Sequence, residues 1–491
     1  MTQETMDRDQ MYHTTSFWKI GAFALNNTAT NIYLFVLGFV TYYATGVAGL
    51  LVVAVSAVLT GARIFDGFTD PVAGYILDRL ETKFGKFRPF MLVGNGILII
   101  SILLMYNITH ILPGYLQLIF FILSYMLYII GYTLQTSITK AAQTVLTNDP
   151  KQRPLFAVFD GIYNGLLFSG GQIYVASYLV SKHDGFTLGL FTELNIVAMV
   201  LSLLFTIIAV WGITQKDQKQ YYGLAEKTVD TRLRDYWPVL KRSKPFIMLI
   251  ISVSSDKLAF GLLRYQVVMV MLFGIVMGDF GLSGTISAIN LIPGVLIIMI
   301  AVGRARKTGM KEALVRSTWV SLISLFLIVG LLLVIDPATI SLSNITFGTI
   351  LFIILYMLIM GFGGVPSALI NPMIADISDN ETYQSGRYIP GMMGTIFSFI
   401  DKLITSLPPL IVGGAVYFIG FKGSFPDVDD VVTTPLFIVT LLLAFGAPII
   451  GHITTLVAMK FYPLDAERMA EVQAGIAEIK QNGYQHEKVN E

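Results

Sequence analysis

Long apolar stretches alternate with short polar segments along almost the whole chain. A helix needs about 20 mostly apolar residues to cross a bilayer. Stretches meeting that requirement predict twelve spans. They lie near 20–44, 49–78, 90–109, 115–146, 156–181, 189–213, 245–275, 281–302, 317–335, 346–374, 389–420 and 434–461. The fold class expected is therefore an all-α polytopic membrane protein.

Composition narrows the reading. Hydrophobic residues make up 54% of the 491 and charged residues only 13%, against roughly 25% charged in a soluble domain. Mean hydropathy is +0.69. A soluble enzyme, a nucleic-acid binder and a disordered scaffold are excluded as readings of the whole chain. With 33 basic against 32 acidic residues there is no excess to attract nucleic acid. Zero cysteines exclude disulfides and thiolate metal sites. Residues 1–18 are polar and lack the pattern of a cleavable signal peptide.

Lysine and arginine placement sets the expected orientation. Arg79, Lys83, Lys86, Arg88, Lys151, Arg153, the many basic residues of 216–244, Arg304–Arg316 and Arg387 fall on one side. The opposite loops offer little beyond Lys182 and Lys422. Both ends are therefore expected in the cytoplasm of a bacterial inner membrane. The expected domains are a segment 1–19, a six-helix bundle 20–214, a polar loop 215–244, a second six-helix bundle 245–462 and a tail 463–491. Basic loops follow the second helix of each half (GYILDRLETKFGKFRPF and GRARKTGMKEALVR), a weak internal symmetry of two parallel repeats. Such repeats place a substrate site near the midplane. The tail predicts a surface helix capped by Asp465, with Met469, Val472, Ile476 and Ile479 on one face. Packing on the cytoplasmic surface is its expected task, and partner binding the alternative.

Charges inside spans need a partner, a wet cavity or a function. Asp66 and Asp70 lie one turn apart on one face of the second span. Ionised together they repel, and a small hard cation or a proton between them relieves the repulsion. The alternative is that they pair with Arg63 or with a lysine of another span. In the eleventh span Asp401 and Lys402 suit a structural network or a coupling role. Thr133, Thr136 and Lys140 form one polar stripe on the fourth span, as cavity lining or with the lysine snorkelling to the interface. The fifth span has Asp160 and Asn164 at i, i+4. The seventh has Asp256, Lys257 and Arg264, and the last two either line a cavity or neutralise acidic neighbours. Asn26, Asn27, Thr28 and Asn31 make the first span unusually polar; Asn26 suits a hydroxylated ligand or a helix–helix hydrogen bond. Tyr33, Tyr42, Tyr43 and Tyr132 are candidates for stacking on sugar faces or for packing. The histidines His13, His110, His183, His452 and His486 are scattered, and no HExxH or GxSxG context appears, so enzyme chemistry is not expected.

The segment ARIFDGFTDPVAGYILDRLETKFGKFRPFML resembles the second span and following loop of the glycoside–pentoside–hexuronide:cation symporters. YYATGVAG, the segment ADISDNETYQSGR read as a loop, FSFIDKL and YPLDAERMAEV match in the same order, so the resemblance covers nearly the whole chain. It implies a twelve-helix major facilitator fold that imports glycosides on an Na⁺ or H⁺ gradient, with no organic cofactor. It further implies that Asp66, Asp70 and Thr133 bind the cation, with Na⁺ as the metal if the carrier is sodium-coupled. Lys402 would stand beside that site. Unlike some relatives, the chain is expected to carry no appended regulatory domain.

The melibiose carrier that typifies the family has aspartates where this chain has Asn26 and Thr136, and a tryptophan where it has Lys140. An arginine expected near Gly161 is absent. Losing carboxylates and gaining a lysine favours an anionic ligand. A uronate-bearing oligosaccharide such as a rhamnogalacturonan fragment is therefore expected, held by Asn26, Thr136, Lys140 and Asp160; from the fourth span onward the chain is similar to rhamnogalacturonide carriers. Arg63, Lys402, Asp401, Lys257 and Arg264 would form the charge network, and Asp78 and Arg79 the cytoplasmic gate. The expected partners are the glycoside, the coupling cation and the lipid bilayer, with the carrier acting as a monomer. Neutral glycosides as cargo and a facilitator-fold exporter are the alternatives.

Overall fold

In a computed structural model the described residues are mostly helical, and their sole β feature is an isolated bridge between Thr82 and Gly85. The structure describes residues 13–79, 82–147, 149, 152–218, 243–385 and 390–476, with the backbone alone described at 68, 70–79, 144, 306, 385 and 390–395. Most of the basic loop 215–244, Arg387 and Ile479 lie outside the described residues.

The helices follow the apolar stretches in order. They are α1 (Phe17–Leu37), α2 (Val52–Arg79), α3 (Arg88–Ile108), α4 (Gly114–Leu146), α5 (Arg153–Ile173), α6 (Leu188–Ile213), α7 (Lys244–Leu263), α8 (Gly281–Thr308), α9 (Met310–Val334), α10 (Phe347–Gly363), α11 (Val365–Ser385), α12 (Pro390–Thr405), α13 (Pro408–Phe418), α14 (Thr434–Leu441) and α15 (Ala447–Phe461). Ten spans among the described residues are long and apolar enough to cross a membrane. The helices α2 and α5 are long but not among those ten. They carry Arg63, Asp66, Asp70, Asp78 and Arg79 in α2, and Arg153 and Asp160 in α5.

Breaks fall where backbone chemistry demands them. Prolines in the first turn open α3, α5 and α7, where the missing N–H costs nothing. Thr346 and Thr349 close a reciprocal capping box at the start of α10. Only Gly309, at φ +91, separates α8 from α9. The segment GRARKTGMKEALVR, expected as a loop, is therefore nearly all helix. The same correction applies to ADISDNETYQS: α11 runs through it to Ser385, Pro372 sitting within the helix. In the eleventh span Ser406 and Leu407 divide α12 from α13, which opens on Pro408 and Pro409.

The chain forms two compact units. The first comprises 1–227 with 280–288 and 409–430. Within it α1 packs against α6, α5 and α4, and α3 against α4 and α6. A Cβ on Gly212 would meet the backbone N of Phe23 at 2.9 Å, so small residues let α1 and α6 approach backbone to backbone. The second unit comprises 228–279, 289–408 and 431–491. There α15 lies along α7, again through a glycine: a Cβ on Gly451 would stand 2.9 Å from the Ser255 carbonyl oxygen.

The tail folds as read from its pattern. Asp465 accepts from the Arg468 N–H at 2.9 Å and starts a helix over 466–476. Val472 is fully buried and Met469 packs on the second unit's core. Gln473 Nε2 donates to Asp379 Oδ2 at 2.7 Å.

Candidate substrate and cation site

In the first unit Asp66 is buried on α2, and Thr133 Oγ1 of α4 donates to its Oδ1 at 2.8 Å. Thr69, one turn on from Asp66, brings a second hydroxyl 2.9 Å from that of Thr133. Three oxygens from two helices thus converge, a donor set that suits a small hard cation or a proton. Thr69 is absent from the residues singled out by sequence, although its i+3 spacing from Asp66 is the signal that could have found it. The side chains of Asp70, Asp78 and Arg79 lie outside the described residues. Arg63, a turn before Asp66, is exposed and lies near Asp66, Tyr125, Tyr128 and Tyr132.

A second polar group runs between α1 and α5. Asp160 Oδ1 accepts from Asn27 Nδ2 at 2.6 Å and from Asn164 Nδ2 at 2.8 Å, and Asn164 Oδ1 accepts from Asn31 Nδ2 at 2.9 Å. All four are only part-buried. Asn26 stands elsewhere. It is fully buried, and its Nδ2 donates to Thr139 Oγ1 at 2.8 Å across α1 and α4. Of its two readings the helix–helix hydrogen bond is the one the structure displays. Thr136 is half-buried and turns its hydroxyl back to the Thr133 carbonyl at 3.1 Å. Lys140 is exposed at the end of the same stripe.

The tyrosines sort mostly into packing. Tyr33 donates to Asn95 Oδ1 at 3.2 Å, Tyr42 stacks on Phe186 at 4.1 Å, and Tyr43 pairs with His110 at 3.0 Å, all three being buried. Their faces are not free for a sugar. Tyr132 is only part-buried.

In the second unit Lys257 Nζ lies 2.6 Å from Asp401 Oδ1. Of the two roles open to Lys257, the structure gives that of neutralising an acidic neighbour. Asp401 consequently faces α7 rather than its chain neighbour Lys402, which is half-buried. Arg264 is exposed beside the Phe260 ring at 5.7 Å.

Two buried polar centres lie outside what the sequence pattern points to. Asp217, beyond α6, holds the N-terminus of α3. Its carboxylate accepts from the backbone N–H groups of Lys86, Phe87 and Arg88 at 2.9–3.2 Å and from Arg88 Nε at 3.3 Å. His452 on α15 bridges Asp256 and Ser321. Both involve partners more than a hundred residues apart, which spacing cannot reveal.

This helical architecture is that of a major facilitator transporter. It is shared with the nucleoside transporter NupG at a TM-score of 0.59 and 14% identity, over 90% of this chain and 98% of that one. A bacterial homologue of the iron transporter ferroportin in its outward-facing state gives 0.55 and 13%, over 91% and 100%.

The chain belongs to the MFS/sugar transport protein family, whose model matches residues 18–466, within the glycoside–pentoside–hexuronide:cation symporters. It is 25% identical to the glucuronide carrier protein homolog of Escherichia coli (strain K12), over 93% of this chain and 94% of that one. It is 23% identical to the putative glycoside/cation symporter YagG of the same organism, over 96% of each. The isoprimeverose transporter of Lactiplantibacillus pentosus shows 21% over 90% and 88%. The protein is a multi-pass membrane transporter, not an enzyme.

Proposed function

We propose that this carrier imports a uronate-bearing glycoside together with Na⁺ or H⁺, by alternating access. The observation that carries the coupling is the buried Asp66 carboxylate with the Thr133 and Thr69 hydroxyls around it. Cation binding there neutralises a charge that is costly in the membrane, and by linkage the sugar and the cation each raise the other's affinity by one factor. Asp70, Lys402 and the gate pair Asp78 and Arg79 take the roles that the family resemblance implies. Both termini are cytoplasmic, the membrane is the bacterial inner membrane, and the working unit is a monomer without organic cofactor.

Substrate charge rests on Lys140. It is exposed, and among the described residues it has no ion-pair partner. A charge-assisted hydrogen bond from its ammonium to a uronate is worth about 1.5–3 kcal/mol, or roughly tenfold to a hundredfold in affinity. Asp160 and its asparagine neighbours would bind sugar hydroxyls. Likeness to the glucuronide carrier protein homolog supports this cargo. The amide-rich ladder on Asp160 supports a second reading, a neutral glycoside, as does likeness to the isoprimeverose transporter.

The test is uptake of a labelled rhamnose–galacturonate disaccharide into proteoliposomes, with Na⁺ and H⁺ gradients imposed separately. Accumulation on one gradient is expected, abolished in Asp66→Asn and weakened at least about tenfold in Lys140→Ala. Accumulation of neutral glycosides alone would leave symport standing and remove the role of Lys140. Uptake unchanged in Asp66→Asn would overturn the coupling site.

A further inference from the structure

Two facing helices of the second unit, α7 and α15, enclose a polar chain that no part of the proposed transport reaction uses. His452 Nδ1 lies 2.9 Å from Asp256 Oδ1, and its Nε2 lies 2.8 Å from Ser321 Oγ on α9. All three residues are at most 2% exposed. The close approach at Gly451 presses the imidazole onto α7, and the Phe260 ring covers it at 5.7 Å. One turn further, Thr455 donates to the Ser252 carbonyl at 3.0 Å and holds the two helices in register.

The remaining carboxylate oxygen, Asp256 Oδ2, is buried without a hydrogen-bond partner. That oxygen decides the charge of the site. An ionised Asp256 beside a neutral imidazole would be a net negative charge sealed in apolar surroundings, with one oxygen bare. A single added proton removes the charge, whether it converts the ring to imidazolium or sits on the carboxyl.

Among the described residues no other charged group is paired with Asp256. On α7 itself Lys257 is engaged by Asp401 of α12, and Arg264 is exposed beyond Phe260. On α9 Arg316 pairs with Glu312, while Lys311 donates to the Tyr462 carbonyl. The other ionisable groups of the helices packed on this pair are Lys244 of α7, Lys460 of α15, Asp376, Asp379 and Glu381 of α11, and Lys402 of α12. Among the described residues Asp256 has His452 as its one ion-pair partner.

We propose that Asp256, His452 and Ser321 form a proton-binding site within the second unit, distinct from Asp66, which holds one proton in this arrangement. The same residue types activate a serine in hydrolases, but Ser321 has no solvent exposure and serves here to hold the ring. Because water cannot reach the trio, the proton enters and leaves only when α7, α9 and α15 part. Proton exchange is thus tied to helix movement, by a route that does not depend on which sugar or cation is carried.

The test uses the full-length carrier in lipid nanodiscs at neutral pH. Solid-state magnetic resonance of isotope-labelled histidine reads ring protonation, and infrared spectroscopy with labelled aspartate reads protonated carboxyls. The chain has five histidines, so His452→Gln identifies its signal as the one of five that is lost. The expected result is a doubly protonated His452 ring or, in its place, a protonated carboxyl band that Asp256→Asn removes. A neutral His452 together with no carboxyl band lost in Asp256→Asn would overturn the proposal. Should either variant fail to fold, Ser321→Ala identifies His452 through the displaced resonance of its Nε2, and wild-type spectra containing neither species overturn it equally.

Discussion

Replacing Asp217 with alanine removes the acceptor for three successive backbone N–H groups at the start of α3 and for the Arg88 side chain. The Asp217 side chain has no exposure and that of Arg88 is 25% exposed. Loss of a helix cap costs about 1 kcal/mol. The buried Phe87 N–H adds about 2 kcal/mol as an orphaned donor. The expected total is about 3 kcal/mol, which appears as a roughly hundredfold loss of hydrogen-exchange protection in the first turn of α3. Asp217→Asn keeps an acceptor but loses the charge that complements the helix dipole, so about 1 kcal/mol is expected. Gly85→Ala should injure the same contact from the other side. A Cβ there would stand 2.3 Å from Asp217 Oδ2, on a backbone at φ +101. The double variant Gly85→Ala/Asp217→Ala should therefore cost less than the sum of the singles. Exchange in detergent micelles, read at the amides of Lys86, Phe87, Arg88 and Phe90, is the assay. Protection in Asp217→Ala within about threefold of wild type would refute the reasoning, because about 0.5–0.7 kcal/mol is what an exposed surface change costs.

His13 Nε2–H donates to the Val145 carbonyl oxygen, 3.1 Å away, and burial holds its pKa below 6.5, with Lys216 and Arg153 adding to the depression against the raising effect of that hydrogen bond. A depressed histidine contributes stability that is present above the unfolded value and lost as pH falls through the folded one. The protection factor of the amides at residues 13–20, measured against the intrinsic rate at each pH, should thus fall on acidification below about pH 6.5, and His13→Gln should flatten that dependence. For the Lys257–Asp401 pair, each side chain about a quarter exposed, Lys257→Ala should cost about 2 kcal/mol by leaving a half-buried carboxylate unpaired. Adding Asp401→Asn should recover at least half of that in an unfolding cycle, whereas strictly additive costs would show the two charges to be independent.

The spans are legible because the bilayer forces long apolar helices, and the Asp66–Thr133 cluster because both are among the few polar residues on otherwise apolar stretches. Pattern alone fails at phase and at distance. The stripe Thr133–Thr136–Lys140 is polar as its spacing says, yet Asn26 meets Thr139, which lies off that stripe. Helical spacing says which residues share a face but not which neighbour that face meets. A lone histidine on an apolar helix reads as packing, so His452 gives no sign of Asp256, and the loop aspartate Asp217 gives none of the α3 terminus it caps. Loop lengths mislead for a physical reason as well. The charge runs after the eighth span and in ADISDNETYQS look like loop, but nothing in them breaks a helix except Gly309.

Asp256 and His452 are 196 residues apart in the chain. At about 5–20 residues per second a ribosome needs roughly 10–40 s to deliver the second after the first. Throughout that interval α7 carries an unmatched carboxylate, and only the arrival of α15 completes the contact. A product that terminates early keeps that defect permanently. Helix α15 therefore gives a chain that carries it a chemical mark, a sealed polar contact, that distinguishes it from every product truncated ahead of that helix, before any cargo is moved.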